Sequence, residues 1–156
     1  MNTIAILFAI LLADPVEIQG RVVSITDGDT IKVLVEKEQI VVRLEGIDAP
    51  ESKQPFGTKS KEALAALCHE KNVVVRSTGK DRYGRTLGTV KVDKTDVNAE
   101  MVKTGFAWHY KQYSKDAELG KLEDSARESK LGLWADKDPV PPWEWRKTER
   151  ARNAKK

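Results

Sequence analysis

A chain of 156 residues, 40% hydrophobic and 33% charged, can bury one substantial core but is too short for two comfortable domains. The formal net charge of +3 excludes a strongly basic body. Arg146, Lys147, Arg150, Arg152, Lys155 and Lys156 follow Trp145 with only Glu149 against them, which leaves the rest slightly acidic. The single cysteine, Cys68, excludes an intrachain disulfide framework.

Residues 4–13 (IAILFAILLA) form an apolar run too short to span a bilayer as a helix. They fit the core of a secretory signal, with two poor features. No Lys or Arg precedes the run, and Leu11 is large three positions before a cut after Ala13. The expectation is a signal peptide and a periplasmic or secreted protein. The alternatives are a buried N-terminal strand or an unconventional start, with a cytoplasmic protein or one membrane-associated through this segment. Residues 14–19 read as a linker, so 1–19 are set apart from a domain over 20–145.

Residues 21–51 read as three strands joined by tight turns. The first begins over 22–25 and ends at the Asp27-Gly28 turn signal. Over 30–35, Ile31, Val33 and Val35 alternate onto one face. The third strand covers 40–47, with Gly46 near its end where a close backbone approach is expected. Pro50 and Pro55 bracket a loop. A helix follows over 58–70, with Ala63, Leu64, Leu67 and Cys68 on its buried face. Strands over 73–77 and 87–92 flank the turn DRYGR at 81–85. Asp96 or Asn98 caps a short helix that stops at Gly105. Residues 106–110 are extended. Asp116 opens a third helix, with Leu119, Leu122 and Ala126 inward and Gly132 as its stop. Pro139, Pro141 and Pro142 force an extended run into Trp143, and 146–156 read as a solvated basic C-terminal tail. This order predicts an α+β fold: a five-stranded Greek-key barrel of the OB-fold type with three α-helices.

Asp27, Asp29, Asp48 and Glu51 lie at or just beyond strand ends. They meet only if the turn after the first strand lies beside the end of the third. Each close pair would then cost on the order of a kcal/mol or more at an effective dielectric of about 20. A hard cation relieves that repulsion, and an all-oxygen ligand set selects Ca²⁺ or Mg²⁺ over zinc. Alone, DGD is usually just a turn. Arg43 interrupts an apolar run, and a buried unpaired guanidinium is costly, so it must face carboxylates or a ligand. Arg85 follows Gly84, a turn residue that aims the next side chain. Two guanidinium forks beside a metal suit in-line attack at phosphorus, where charge grows on the equatorial oxygens. Two structural Arg–carboxylate bridges are the plainer alternative. His69 and His109 offer no pair at ligand spacing and no Ser–His–Asp arrangement, which disfavours a histidine base. Trp108, Tyr110 and Tyr113, with Tyr83 beside Arg82, suit stacking on bases and suit packing equally well.

Together, DGDT at 27–30, RLEGIDAPE at 43–51, DRYGR at 81–85, G-x-A at 105–107 and KLGLW at 130–134 resemble the staphylococcal nuclease (thermonuclease-like) family. The resemblance covers roughly 20–145, and the PPWEWR ending is similar to that of many bacterial exported members. It implies a Ca²⁺-dependent, sugar-nonspecific endonuclease that cuts DNA and RNA on the 5′-oxygen side of phosphorus and leaves 3′-phosphates. It further implies that Asp29, Asp48 and the backbone carbonyl of Ala49 bind the calcium, with Asp27 reaching it through water. Glu51 would orient or deprotonate the attacking water. Arg43 would hold the phosphate, and Arg85 would stabilise the transition state and assist the leaving group. Arg82, Tyr83, Tyr110 and Tyr113 would lie near the bound nucleotide. The chain departs from the family's best-known members at Ala49, where threonine is common, and in a shorter, less Lys-rich loop over 52–57. Family members that have lost the site serve as non-catalytic nucleic-acid or protein-binding modules, and none of the Asp, Glu or Arg positions is lost here. A monomer without a stable membrane span is expected.

Overall fold

Five strands close into a barrel because the first is long enough to serve two neighbours. In the computed structural model, which describes residues 14–155, β1 runs over Val16–Asp27. Its first half, Val16 to Arg21, pairs antiparallel with β5 (Asn72–Lys80). Its second half, Arg21 to Asp27, pairs antiparallel with β2 (Thr30–Val35). Register shifts after Val22 and Ile25 bend the strand between these partners. β2 turns into β3 (Glu38–Leu44), and β5 turns into β6 (Thr86–Val92). Parallel pairing of Val42, Arg43 and Leu44 with Thr86, Leu87 and Gly88 closes the ring. This is the expected OB-fold barrel.

The strand begins earlier than expected. Residues 16–19, read as linker, are ladder residues of β1, because Val16 and Ile18 face β5 partners more than fifty positions away. A composition reading cannot see such a partner. The apolar run over 4–13 lies outside the described residues. Among the described residues, no helix is long and apolar enough to cross a membrane.

Val22, Ile31, Val33, Val42, Leu44, Val75 and Val90 fill the barrel. Helix α1 (Gly57–Cys68) plugs one end with Leu64 and Cys68, and α2 (Val97–Lys103) adds Met101 and Val102. Burial pushes the Cys68 thiol up to about 12, so Cys68 is an inert core residue. Asp96 caps α2 by accepting from the Ala99 N–H at 2.9 Å. Asn98, the other candidate cap, instead enters the closing seam. Its Oδ1 accepts from the Val90 N–H at 3.0 Å, and its Nδ2 donates to Glu45 O at 2.9 Å and Gly88 O at 3.2 Å.

A second apolar cluster lies beyond the barrel. Trp108, Ala126, Leu133 and Trp134 pack between α3 (Ala117–Glu128) and the 3-10 turn over Gly132–Ala135, with Phe56 and Trp143 against them. Two short strands, β4 (Ile47–Asp48) and β8 (Trp108–His109), join this cluster to the end of the barrel. A minor strand, β7 (Thr95–Asp96), extends the sheet at β6.

The expected three helices are four. The stretch read as the basic tail continues a helix, α4 (Pro142–Asn153). Pro142 supplies a preset φ in the first turn, Glu144 sits near the positive end of the dipole, and Arg150 and Arg152 lie in the last turn. Apart from Trp143 and Trp145 the segment has almost no apolar face, so hydrophobic periodicity does not reveal it.

The Asn98 contacts generate a prediction. Asn98→Ala leaves a buried N–H and two carbonyls at the seam without this partner, and should cost about 2–3 kcal/mol in urea denaturation.

Candidate active site

Gly28 brings the first turn against the third strand's exit. A Cβ there would lie 2.7 Å from the Ala49 Cβ and 2.7 Å from the Ser60 Cβ. Only glycine lets the 27–30 turn pack this tightly onto residue 49 and α1. The Leu44 N–H donates to Asp29 O at 2.8 Å, and Thr30 pairs with Arg43 across the ladder. Asp29 therefore emerges beside Arg43. Its Oδ2 accepts the Ala49 N–H at 2.8 Å and its Oδ1 accepts the Thr30 hydroxyl at 2.9 Å.

Arg43 stands between two carboxylates. Its Nε lies 3.1 Å from Asp29 Oδ1, and its Nη2 donates to Asp48 Oδ1 at 3.2 Å. Its Nη1 donates to the carbonyls of Leu44 and Ile47, the latter at 2.9 Å. The guanidinium is thus held in one orientation by backbone at the barrel mouth. Gly46, in the left-handed region at φ 76°, reverses the chain so that Ile47 and Asp48 return past it.

Glu51 begins a loop tied to its own end and to the C-terminal segment. Its N–H donates to Gln54 Oε1 at 3.1 Å, and the Gln54 N–H donates to Glu51 O at 2.8 Å. Gln54 Nε2 then donates to Val140 O at 2.6 Å. From the first turn of α4, Trp143 stacks on Tyr110 with centroids 5.4 Å apart and an interplanar angle of 5°. It also meets Trp108 edge-on at 5.5 Å. One turn later Arg146 reaches the carboxylates. Its Nη2 donates to Asp48 Oδ2 at 2.7 Å, and its Nη1 donates to Glu51 Oε1 at 2.8 Å and Asp48 Oδ1 at 3.1 Å.

The remaining residues singled out in the sequence form two flanks. Arg85 is held on its own hairpin. Asp81 Oδ2 accepts from its Nε at 2.6 Å, and Asp81 Oδ1 accepts the Tyr83 and Arg85 N–H groups. Among the described residues, no hydrogen bond or ion pair joins Arg85 to Asp29, Asp48 or Glu51. The β3–β6 pairing nevertheless sets the start of β6, and with it Arg85, beside the strand that carries Arg43. Arg82 covers the exposed Tyr83 ring at 4.8 Å. On the other flank Tyr113, also exposed, meets Tyr110 edge-on at 4.7 Å. A cavity of about 240 Å³ shares Tyr110 and Trp143 with the site but none of its carboxylates. His69 is exposed at the end of α1, and buried His109 shares a hydrogen bond with Ser114 Oγ at 3.0 Å, with no hydrogen bond among the described residues to Asp29, Asp48 or Glu51.

The profile of the family described as "Staphylococcal nuclease homologue" matches residues 41–136. An uncharacterized endonuclease of Haemophilus influenzae is 49% identical over 131 residues, covering 83% of this chain and 74% of that protein. A micrococcal nuclease of Shigella flexneri is 44% identical over 145 residues, covering 86% and 83%. The chain belongs to the staphylococcal nuclease family. A staphylococcal-like nuclease of Arabidopsis thaliana, 44% identical over 122 residues, covers 78% of this chain and 37% of its own length. The profile match contains Arg43, Asp48, Glu51 and Arg85. It begins after the Asp27–Asp29 turn and ends before Arg146.

For a member of the staphylococcal nuclease family, calcium is the ion implied at this site. The donors gathered here are carboxylate oxygens, with no histidine or thiol among them, which is the chemistry of a hard cation. Asp27 pairs with no cation among the described residues. Burial first, then the charge of Asp29 and a hydrogen bond with it, push Asp27 up to about 7. Burial also pushes Asp48 upward, against the fork of Arg146. Added positive charge would relieve both groups, so the donor set fits. It is not a ready-made cage: among the described residues, no three acidic, histidine or cysteine side chains converge as ligands. The guanidinium groups of Arg43 and Arg146 lie between them.

Arg146 is the residue that sequence reasoning missed. Its run of positive charge reads as a solvated tail, yet its side chain is two-thirds buried and pairs with two site carboxylates. The available signal was Pro142 followed by Glu144 and later Arg150 and Arg152, which is the charge order of a helix.

Asp27 gives a pH prediction. Its folded value near 7 lies above the ordinary 3.8, so between these values the native state holds a proton that the unfolded chain has released. This contribution lowers stability as pH rises from about 4 to about 7. In EGTA, Asp27→Asn should be more stable than the parent at pH 7 and close to it at pH 4, measured by urea denaturation.

Proposed function

We propose that this member of the family is a Ca²⁺-dependent, sugar-nonspecific endonuclease that cuts DNA and RNA on the 5′-oxygen side of phosphorus and leaves 3′-phosphates. The observation that carries the reading is the Arg43 guanidinium fixed between Asp29 and Asp48, with Glu51 joined to Asp48 by the fork of Arg146. Asp29, Asp48 and the Ala49 carbonyl would hold the calcium, and Asp27 would reach it through water. Bound there, the ion supplies positive charge to oxygens on phosphorus and to the attacking water.

The chain's own residues do the rest. Glu51 orients the water and takes its proton as the new P–O bond forms. Arg43 presents a fork to the non-bridging oxygens. Because Leu44 and Ile47 carbonyls already fix its orientation, it needs little reorganisation as charge grows. Arg85, once it gives up Asp81, serves the departing 5′-oxygen as the P–O5′ bond breaks. The Arg82–Tyr83 and Tyr110–Tyr113 flanks offer aromatic faces to the neighbouring bases. The run over 4–13 supports export to the periplasm or beyond, and nothing in the reading requires more than a monomer.

The test is digestion of single-stranded DNA and of RNA with Ca²⁺, with Mg²⁺ and with EGTA, followed by analysis of the product ends. Cleavage with Ca²⁺ alone, leaving 3′-phosphates, is expected, and cleavage that survives EGTA would sink the metal role. Arg85→Ala should slow cleavage about a hundredfold or more while leaving the melting temperature nearly unchanged, because its pair with Asp81 is partly exposed. Arg43→Ala should slow it as much and also weaken the calcium-free fold, because it strips the buried Asp29 of its ion pair. A near-parental rate in either variant would remove that arginine from the mechanism.

A further inference from the structure

We propose that α4 is a latch on the metal site: Arg146 and a divalent cation are alternative occupants of the Asp48–Glu51 edge, so that metal binding must release the helix's guanidinium. The proposal rests on the calcium reading above and extends it to a segment outside the matched family region, which ends at residue 136.

The geometry is that of an internal counter-ion. Arg146 takes both oxygens of Asp48, at 2.7 and 3.1 Å, and Oε1 of Glu51 at 2.8 Å. Asp48 Oδ1 also accepts from Arg43 at 3.2 Å, so both Asp48 oxygens are engaged by arginine. A dication approaching that edge meets a guanidinium at contact distance. Like charges so close, partly shielded from water, repel, and since Arg43 is also tied to the Leu44 and Ile47 carbonyls, Arg146 is the guanidinium that gives way. The same fork holds Glu51, so the latched arrangement engages the water-orienting carboxylate as well as a metal ligand.

The latch is attached by contacts that do not involve the carboxylates. Trp143 stacks on Tyr110 and meets Trp108, and Gln54 Nε2 reaches the Val140 carbonyl at 2.6 Å. These hold the first turn of α4. Beyond Arg146 the helix has exposed basic residues and local pairs such as Lys147 with Glu144 and Arg152 with Glu149. The Arg146 fork is therefore the inward polar contact of the helix body, and its loss should loosen α4 from the second turn onward.

Calcium titration by calorimetry and hydrogen exchange of α4 test this on the full chain. Arg146→Gln should bind Ca²⁺ about tenfold tighter or more, since the charged hydrogen bonds the ion must break are gone. Arg146→Lys keeps one charge without the fork and should fall between. In the unmodified protein, Ca²⁺ should speed amide exchange over residues 146–153 relative to EGTA, and in Arg146→Gln that exchange should already be fast in EGTA. Calcium affinity in Arg146→Gln that equals or falls below the parent's, or exchange in the unmodified α4 that ignores Ca²⁺, would overturn the latch while leaving the nuclease reading standing. No calcium binding by parent or variant would overturn the calcium reading and the latch together.

Discussion

Burying Asp29 and Asp48 at the mouth of an apolar barrel is costly unless each keeps a cationic partner, and Arg43 is the partner they share. Much of the local architecture serves that contact. β2 and β3 must pair in register for Asp29 and Arg43 to emerge side by side. Gly28 must lack a side chain for the turn to reach Ala49. Gly46 must take the left-handed conformation for Asp48 to come back past the strand end. The carboxylates outnumber Arg43, and that imbalance makes the site a place for further positive charge.

The structure supplies that charge from within the chain. Arg146 crosses from the C-terminal helix to Asp48 and Glu51, carried there by an aromatic cluster separate from the barrel core. Trp108 links the two parts, since β8 pairs with β4 and sets Trp108 opposite Asp48. The packing of Trp143 on Trp108 and Tyr110 is therefore not remote from the chemistry. It decides where the first turn of α4 lies, and hence where the guanidinium one turn later falls. The fold thus places two guanidinium groups on the same carboxylate, and backbone carbonyls also hold Arg43.

Much of this was legible in the residues. The alternation of Ile31, Val33 and Val35, the turn residues at 27–28 and 84, and the helix stop at Gly105 mark most of the elements, whereas α3 ends at Glu128 with Lys130 in the left-handed conformation and Gly132, the expected stop, opens the 3-10 turn. The barrel's closure was less so. Val16 and Ile18 belong to β1 only through β5, and Asn98 looks like a helix cap until Val90, Glu45 and Gly88 are seen around it. Arg85 shows the same limit from the other side. Its place after Gly84 is a local fact, whereas its pairing with Asp81 rather than with the carboxylate cluster depends on the curl of one hairpin.

The amino-acid sequence by itself determined most of the barrel's strands, the oxygen-only character of the acidic positions, and the two arginines that interrupt or follow its strands. Those depend on residue type and short-range periodicity, which are written along the chain. Only the tertiary structure decided that Arg43 is held between Asp29 and Asp48, that Arg85 rests on Asp81, and that a helix ends the chain with Arg146 on Asp48 and Glu51. The reason is separation. Residue 146 lies 98 positions from residue 48 and 95 from residue 51, and no local propensity records a partner at that distance. A run of positive charge reads as solvated tail until packed aromatics carry one of its members to a buried carboxylate.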